Sequence, residues 1–140
     1  GDGGVAGLLL AVSRMIGDEE LARQAEQIAQ RAMRIPEEGT RVADAPLCHG
    51  ATGLAHIFNR FFQATGDGAY REAARFWIER ALAFHRPGQG VGGFQANRGE
   101  EWDDFPGFLE GAAGVGLALL AASHAVEPAW DRLLLLSMAV

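Results

Sequence analysis

The chain has 140 residues, 49% of them hydrophobic and 21% charged, with 12 Lys and Arg against 18 Asp and Glu, a net charge of −6 and one cysteine. That is the length of one globular domain; the acidic balance excludes a basic, phosphate-tracking face, so no nucleic-acid partner is expected, and one cysteine excludes an internal disulfide framework. The apolar runs 3–13 and 111–123 are too short for a transmembrane helix, no basic n-region marks a signal peptide, and a reducing cytoplasm suits the cysteine count.

The chain opens on Gly rather than Met, and residue 1 is expected to be a cut inside a longer protein. Nineteen glycines stand in a sequence whose periodicity is otherwise helical. They fall into a pattern. G-x-x-G occurs at Gly1 and Gly4, at Gly50 and Gly53, and at Gly111 and Gly114, each time opening an apolar segment. In the first two copies Gly-Asp follows thirteen residues later, as Gly17-Asp18 and Gly66-Asp67; the third copy has Glu127-Pro128 at that place.

In chain order, the pattern predicts an apolar helix over 5–16, a Gly17 stop and Asp18 cap, and an amphipathic helix over 19–34 with Leu21, Ala25, Ile28, Ala29 and Ala32 on its inner stripe. A Pro- and Gly-containing connection spans 35–47. The second unit repeats the scheme, with an apolar helix over 53–65, the Gly66-Asp67 turn, and an amphipathic helix over 69–84 whose Ala73, Ala74, Trp77, Ile78, Ala81 and Leu82 face inward. A long connection, 85–108, carries Trp102-Asp103-Asp104-Phe105 and is expected to pack over something. A third apolar helix covers 114–124. Apolar inner helices alternating with half-solvated outer ones predict an all-α fold, an α/α toroid of alternating inner and outer helices, present in part as three hairpin-like repeats. Glycines at the inner-helix starts let neighbouring helices approach closely.

The sharpest chemical feature is Leu47-Cys48-His49-Gly50-Ala51-Thr52-Gly53 at the start of the second inner helix. The helix dipole there favours a thiolate, and thiolate and imidazole both ligate zinc. Two adjacent side chains do not complete a zinc site, so the residues alone leave open a buried Cys48 beside a capping His49. His56, two turns deeper on the same face, is either a lumen-facing group that meets substrate or a packed core histidine. Glu110 precedes Gly111 as His49 precedes Gly50, and either contacts substrate at the rim or caps its helix. Asp103 and Asp104 read as a solvated turn, and His85 and His124 as helix-end histidines.

Leu47-Cys48-His49-Gly50-Ala51-Thr52-Gly53-Leu54-Ala55-His56, Gly66-Asp67, Phe108-Leu109-Glu110-Gly111-Ala112-Ala113-Gly114-Val115-Gly116-Leu117 and Pro128-Ala129-Trp130-Asp131-Arg132-Leu133 closely resemble the C-terminal half of lanthionine synthetase C-like cyclases. The likeness runs through essentially all of residues 1–140, with Cys-His-Gly as its specific part. It implies an α/α toroid holding one zinc ion through two cysteines and a histidine, and so assigns Cys48 and His49 as metal ligands. The third ligand, from a Trp-Cys-Tyr-Gly motif, would lie two positions before Gly1. The repeat points to the same place, because Cys48 lies two before Gly50, whose counterpart is Gly1.

The implied activity is formation of lanthionine or methyllanthionine rings, in which a cysteine thiolate of a dehydrated precursor peptide adds to dehydroalanine or dehydrobutyrine. A lanthipeptide dehydratase is a further implied partner. The family's acid/base residues match nothing in this chain, so no catalytic residue is expected within it. Two rival readings stand beside this one: a cyclase-like zinc protein that binds glutathione or another thiol without making rings, and a structural α-helical repeat with an inert Cys48.

Overall fold

Gly1, Gly50 and Gly111 each occupy the N-cap of an apolar helix, so the spacing seen in the sequence is a spacing of helix starts. The helices they open are α1 (Asp2–Ile16), α4 (Ala51–Thr65) and α6 (Ala112–Ser123). A computed structural model describes residues 1–137; the last three residues of the expected 1–140 domain lie outside the described residues. Gly17 and Gly66 end α1 and α4 in the left-handed conformation, with φ of 72° and 73°, which costs glycine little. Asp18 and Asp67 then start α2 (Glu19–Met33) and α5 (Gly68–Ala83), accepting hydrogen bonds from the backbone N–H groups of Leu21 and Ala69, each at 2.9 Å. Between the two hairpins a single turn, α3 (Glu37–Thr40), follows Pro36.

The fold is all-α in character, the strands among the described residues being limited to one two-residue hairpin, β1 (Ala96–Asn97) and β2 (Trp102–Asp103). α1 packs on α2 and α4 on α5, while α4 also lies against both α1 and α6. The three apolar helices are thus neighbours, and α2 and α5 flank them as the amphipathic partners. The core is built from small residues and aromatic wedges: Ala6, Ala25, Ala29, Ala51, Ala55 and Ala81 allow close approach, and Phe58, Phe61, Tyr70 and Trp77 fill the space between helices. Phe61 and Tyr70 meet at 5.0 Å between ring centroids, closing the α4–α5 seam.

Two details depart from the sequence reading. Leu82, expected to face inward, is half exposed, because α5 and α6 flank α4 without closing on each other and leave an open apolar groove lined by Leu82, Leu119 and Leu120. The third unit returns not through an amphipathic α-helix but through a 3-10 helix, Ala129–Leu134, after Pro128. This segment docks on α4 by charge as well as by packing. The carboxylate Oδ2 of Asp131 lies 3.1 Å from His56 Nε2 and 3.0 Å from Arg60 Nε, and Arg60 also reaches Glu127. His56, Arg60 and Asp131 are all buried. No helix among the described residues is long and apolar enough to cross a membrane.

Candidate functional site

The segment 44–50 turns the chain into α4 and caps that helix with its own carbonyls. Asp44 and Ala45 accept from the N–H groups of Ala51 (2.9 Å) and Thr52 (3.0 Å), the Thr52 hydroxyl donates to the same Ala45 carbonyl at 2.6 Å, and Pro46 accepts from Gly50 N–H at 2.9 Å. These carbonyls satisfy the donors that every helix start leaves unpaired. The loop consequently lies flat against the helix start. A Cβ at Gly50 would sit 2.5 Å from the Pro46 oxygen, and one at Gly53 2.1 Å from the Leu47 oxygen. Only glycine fits either position.

The same construction recurs 61 positions on. Ala112 N–H donates to Phe105 at 2.9 Å and Ala113 N–H to Pro106 at 3.3 Å, and Cβ atoms at Gly111 and Gly114 would meet the Phe105 and Phe108 oxygens at 2.2 and 1.9 Å. The two loops touch at one rim: Cys48 N–H donates to the carbonyl of Leu109 at 2.9 Å.

On this rim Cys48 is a free, exposed thiol, three residues before α4 begins, and the His49 side chain is 50% exposed. Behind His49 the side chain of Asp44 is 1% exposed. Its Oδ2 accepts from Asn97 N–H in β1 at 3.0 Å, and its Oδ1 faces His49 Nδ1 at 3.4 Å with no hydrogen-bond partner. Glu110, on the neighbouring loop, accepts from Arg98 Nη2 at 2.8 Å; Arg98 also approaches Asp103 and lies over the Phe105 ring. The Glu110 carboxylate, by hydrogen bond and by charge, raises the Arg98 pKa above its ordinary value. Consecutive residues of the hairpin, Asn97 and Arg98, therefore tie down the first and second rim loops respectively. The long connection packs across both.

Of the residues singled out from sequence, Cys48, His49 and Glu110 share this rim and His56 does not. His56 lies in the interior, bonded to Asp131, with its ring 4.5 Å from that of Trp130. Trp130 in turn meets Phe108 edge-on at 5.8 Å, so the closing segment supports the second rim loop from beneath. Asp103 and Asp104 are engaged within the hairpin, by Arg98 and by Gln95 Nε2 at 2.8 Å. Asp44 was not among the sequence candidates. Nothing in the repeat marks it, since its counterpart in the next copy is Phe105.

A family model described as lanthionine synthetase C-like protein matches residues 1–135. The chain belongs to the lanthionine synthetase C-like family. No curated protein matches the sequence.

In this lanthionine synthetase C-like chain, an exposed thiol is followed in sequence by an imidazole that a buried carboxylate backs, and both are donor types that zinc takes. Among the described residues no group of three or more His, Cys, Asp and Glu side chains gathers. Cys48 and His49 are two donors of types that suit zinc, fewer than a zinc site needs.

Proposed function

We propose that this chain is the metal-bearing part of a zinc-dependent cyclase that forms thioether rings in a dehydrated precursor peptide, with Cys48 and His49 as two protein ligands and a cysteine two positions before Gly1 as the third. The observation that carries the reading is the rim: the one cysteine of the chain and its neighbouring histidine are exposed on a loop that backbone hydrogen bonds hold on both sides. The repeat of helix starts at Gly1, Gly50 and Gly111 supports the position of the third ligand, and packing of α4 between α1 and α6 suits an arc of a larger toroid.

When bound, zinc lowers the pKa of a coordinated thiol and keeps it ionised near neutral pH. The protein's own contribution is placement. The Leu109 carbonyl fixes the backbone at Cys48, Asp44 backs His49, and the Asn97–Arg98 hairpin braces both loops, so a peptide meets a rim ordered before it arrives. In the reaction a substrate cysteine loses its proton, its sulfur adds to the β-carbon of a dehydroamino acid, the alkene electron pair moves to the α-carbon, and a proton returns there. Atoms balance without an oxidant or a leaving group.

Zinc content of the intact protein, compared with its Cys48→Ala variant, tests the metal reading: about one zinc per chain in the parent and a large loss in the variant are expected, and a zinc-free parent overturns it. Free thiols counted after incubation with a dehydrated precursor test the chemistry. A fall in thiols without a change in peptide mass is expected. Zinc retained with thiols unchanged against several precursors would replace ring formation by the rival reading, a zinc protein that binds glutathione or another thiol.

A further inference from the structure

Among the groups left over by the reading above, Asp44 stands apart. It is fully buried, carries an oxygen without a hydrogen-bond partner, and faces an exposed imidazole. Burying a carboxylate is costly unless its oxygens are satisfied, so a position that keeps one needs a compensating role. Half of that role is visible: Oδ2 accepts from Asn97 N–H and ties the β1–β2 hairpin to the rim. The other oxygen has His49 Nδ1 at 3.4 Å as its facing group. The local fold seats Asp44 closely. Its backbone carbonyl caps Ala51, and a Cβ on Gly50 would come within 2.6 Å of Oδ1, so glycine at 50 is what admits the carboxylate between loop and helix.

We propose that Asp44 is a positioning residue for His49, keeping the proton of the neutral imidazole on Nδ1 and leaving Nε2 as the nitrogen that donates to a metal. The inference deepens the zinc reading and rests on it for the identity of the metal. The tautomer itself does not depend on metal. A neutral imidazole presents a lone pair from one nitrogen only, and the charge of the group facing the other nitrogen biases which. A carboxylate can only accept, so facing Nδ1 it favours Nδ1–H; an amide in its place can donate and removes that preference. Because the same carboxylate grips Asn97, the hairpin and the ligand loop share one anchor.

The test uses the intact protein, 15N-labelled at its histidines, in metal-free buffer above neutral pH, with the long-range 15N–1H pattern of His49 read in the parent and in Asp44→Asn. The expected result is an Nδ1–H imidazole in the parent and a shift toward Nε2–H in Asp44→Asn. An Nε2–H imidazole in the parent overturns the proposal, and this holds even where Asp44→Asn fails to fold. Zinc competition with a chromophoric chelator then separates the two readings. A parent that takes up zinc and an Asp44→Asn variant that binds it about 10–100-fold more weakly support both. Equal affinity in a folded variant overturns the role of Asp44 and leaves the zinc reading intact, whereas a parent that binds no zinc overturns the zinc reading while the tautomer still decides Asp44. Asn97→Pro, which removes the hairpin N–H from Oδ2 without touching His49, is expected to leave the His49 tautomer unchanged. That outcome distinguishes orientation of the imidazole from general loosening of the loop.

Discussion

Cys48 and Leu109 occupy the same register position in two successive repeats, and the N–H of one donates to the carbonyl of the other at 2.9 Å. The cysteine is therefore held at a junction where two copies of one loop meet, not at the tip of a free turn. Its thiol can be exposed while its backbone is fixed, which is the combination that a ligand or nucleophile requires.

Both loops depend on glycines that the carbonyls press against. Gly114→Ala would place a methyl group 1.9 Å from the Phe108 oxygen, and the expected cost is about 1–3 kcal/mol from forced displacement. Gly116, two residues on in the same helix, has nothing within 4 Å, so Gly116→Ala is expected to stabilise by about 0.5–1 kcal/mol through helix propensity and a less flexible unfolded chain. Denaturant midpoints of the two variants should move in opposite directions.

Asp131 is the shared partner of His56 and Arg60 inside the α4 seam. Among the described residues, Asp131→Ala leaves the buried Arg60 guanidinium only the peripheral Glu127 and Gln63 as partners, and should cost about 3–5 kcal/mol, read as a lower unfolding midpoint. Glu127, whose side chain is 41% exposed, should cost under about 1 kcal/mol when replaced by Ala.

Burial, followed by the negative charge of Glu26, pushes the Tyr70 hydroxyl up to about 12 from its ordinary 10.0. The unfolded chain therefore releases this proton at lower pH than the folded one. Stability from this group is complete below pH 10 and is lost as the pH rises toward 12. Tyr70→Phe should flatten the alkaline fall in the denaturation midpoint, and the difference in phenolate absorbance between parent and variant reports Tyr70.

Arg98 bridges Glu110, Asp103 and the Phe105 ring in an exposed setting. Arg98→Ala should change global stability little, since water and salt screen such pairs. The effect should be local: amides of the hairpin around Asn97 exchange with solvent faster, by less than about tenfold, measured by hydrogen exchange. High salt should produce part of the same effect in the parent chain.

Much of this was legible because it is local. Helix ends depend on a residue and its near neighbours, so Gly17, Gly66, Asp18 and Asp67 announced the turns they form, and the G-x-x-G spacing announced three helix starts. The alternation of apolar and amphipathic segments likewise indicated which helices pack together, although α1 and α6, expected to be enclosed, leave Val5, Met15, Ile16 and Leu120 exposed. The family resemblance was legible in the Cys-His-Gly motif and the residues around it, and the family model matches residues 1–135.

What required the tertiary structure is every relationship between residues far apart in the chain. The pairing of Cys48 with Leu109 and of Asp44 with Asn97 depends on the hairpin folding back across two loops, which glycine-rich sequence leaves undetermined. The spacing puts His56 on one helix face with His49, yet His49 lies in the turn before α4 and His56 in the interior, paired with Asp131 75 residues later. Sequence by itself thus determined where helices begin, end and turn their apolar faces, since those are set by steric and hydrogen-bonding needs within a few residues. Only the tertiary structure decided which side chains stand on the rim and which lie beneath it, because burial and charge pairing are settled by partners that the chain brings together after those helices form.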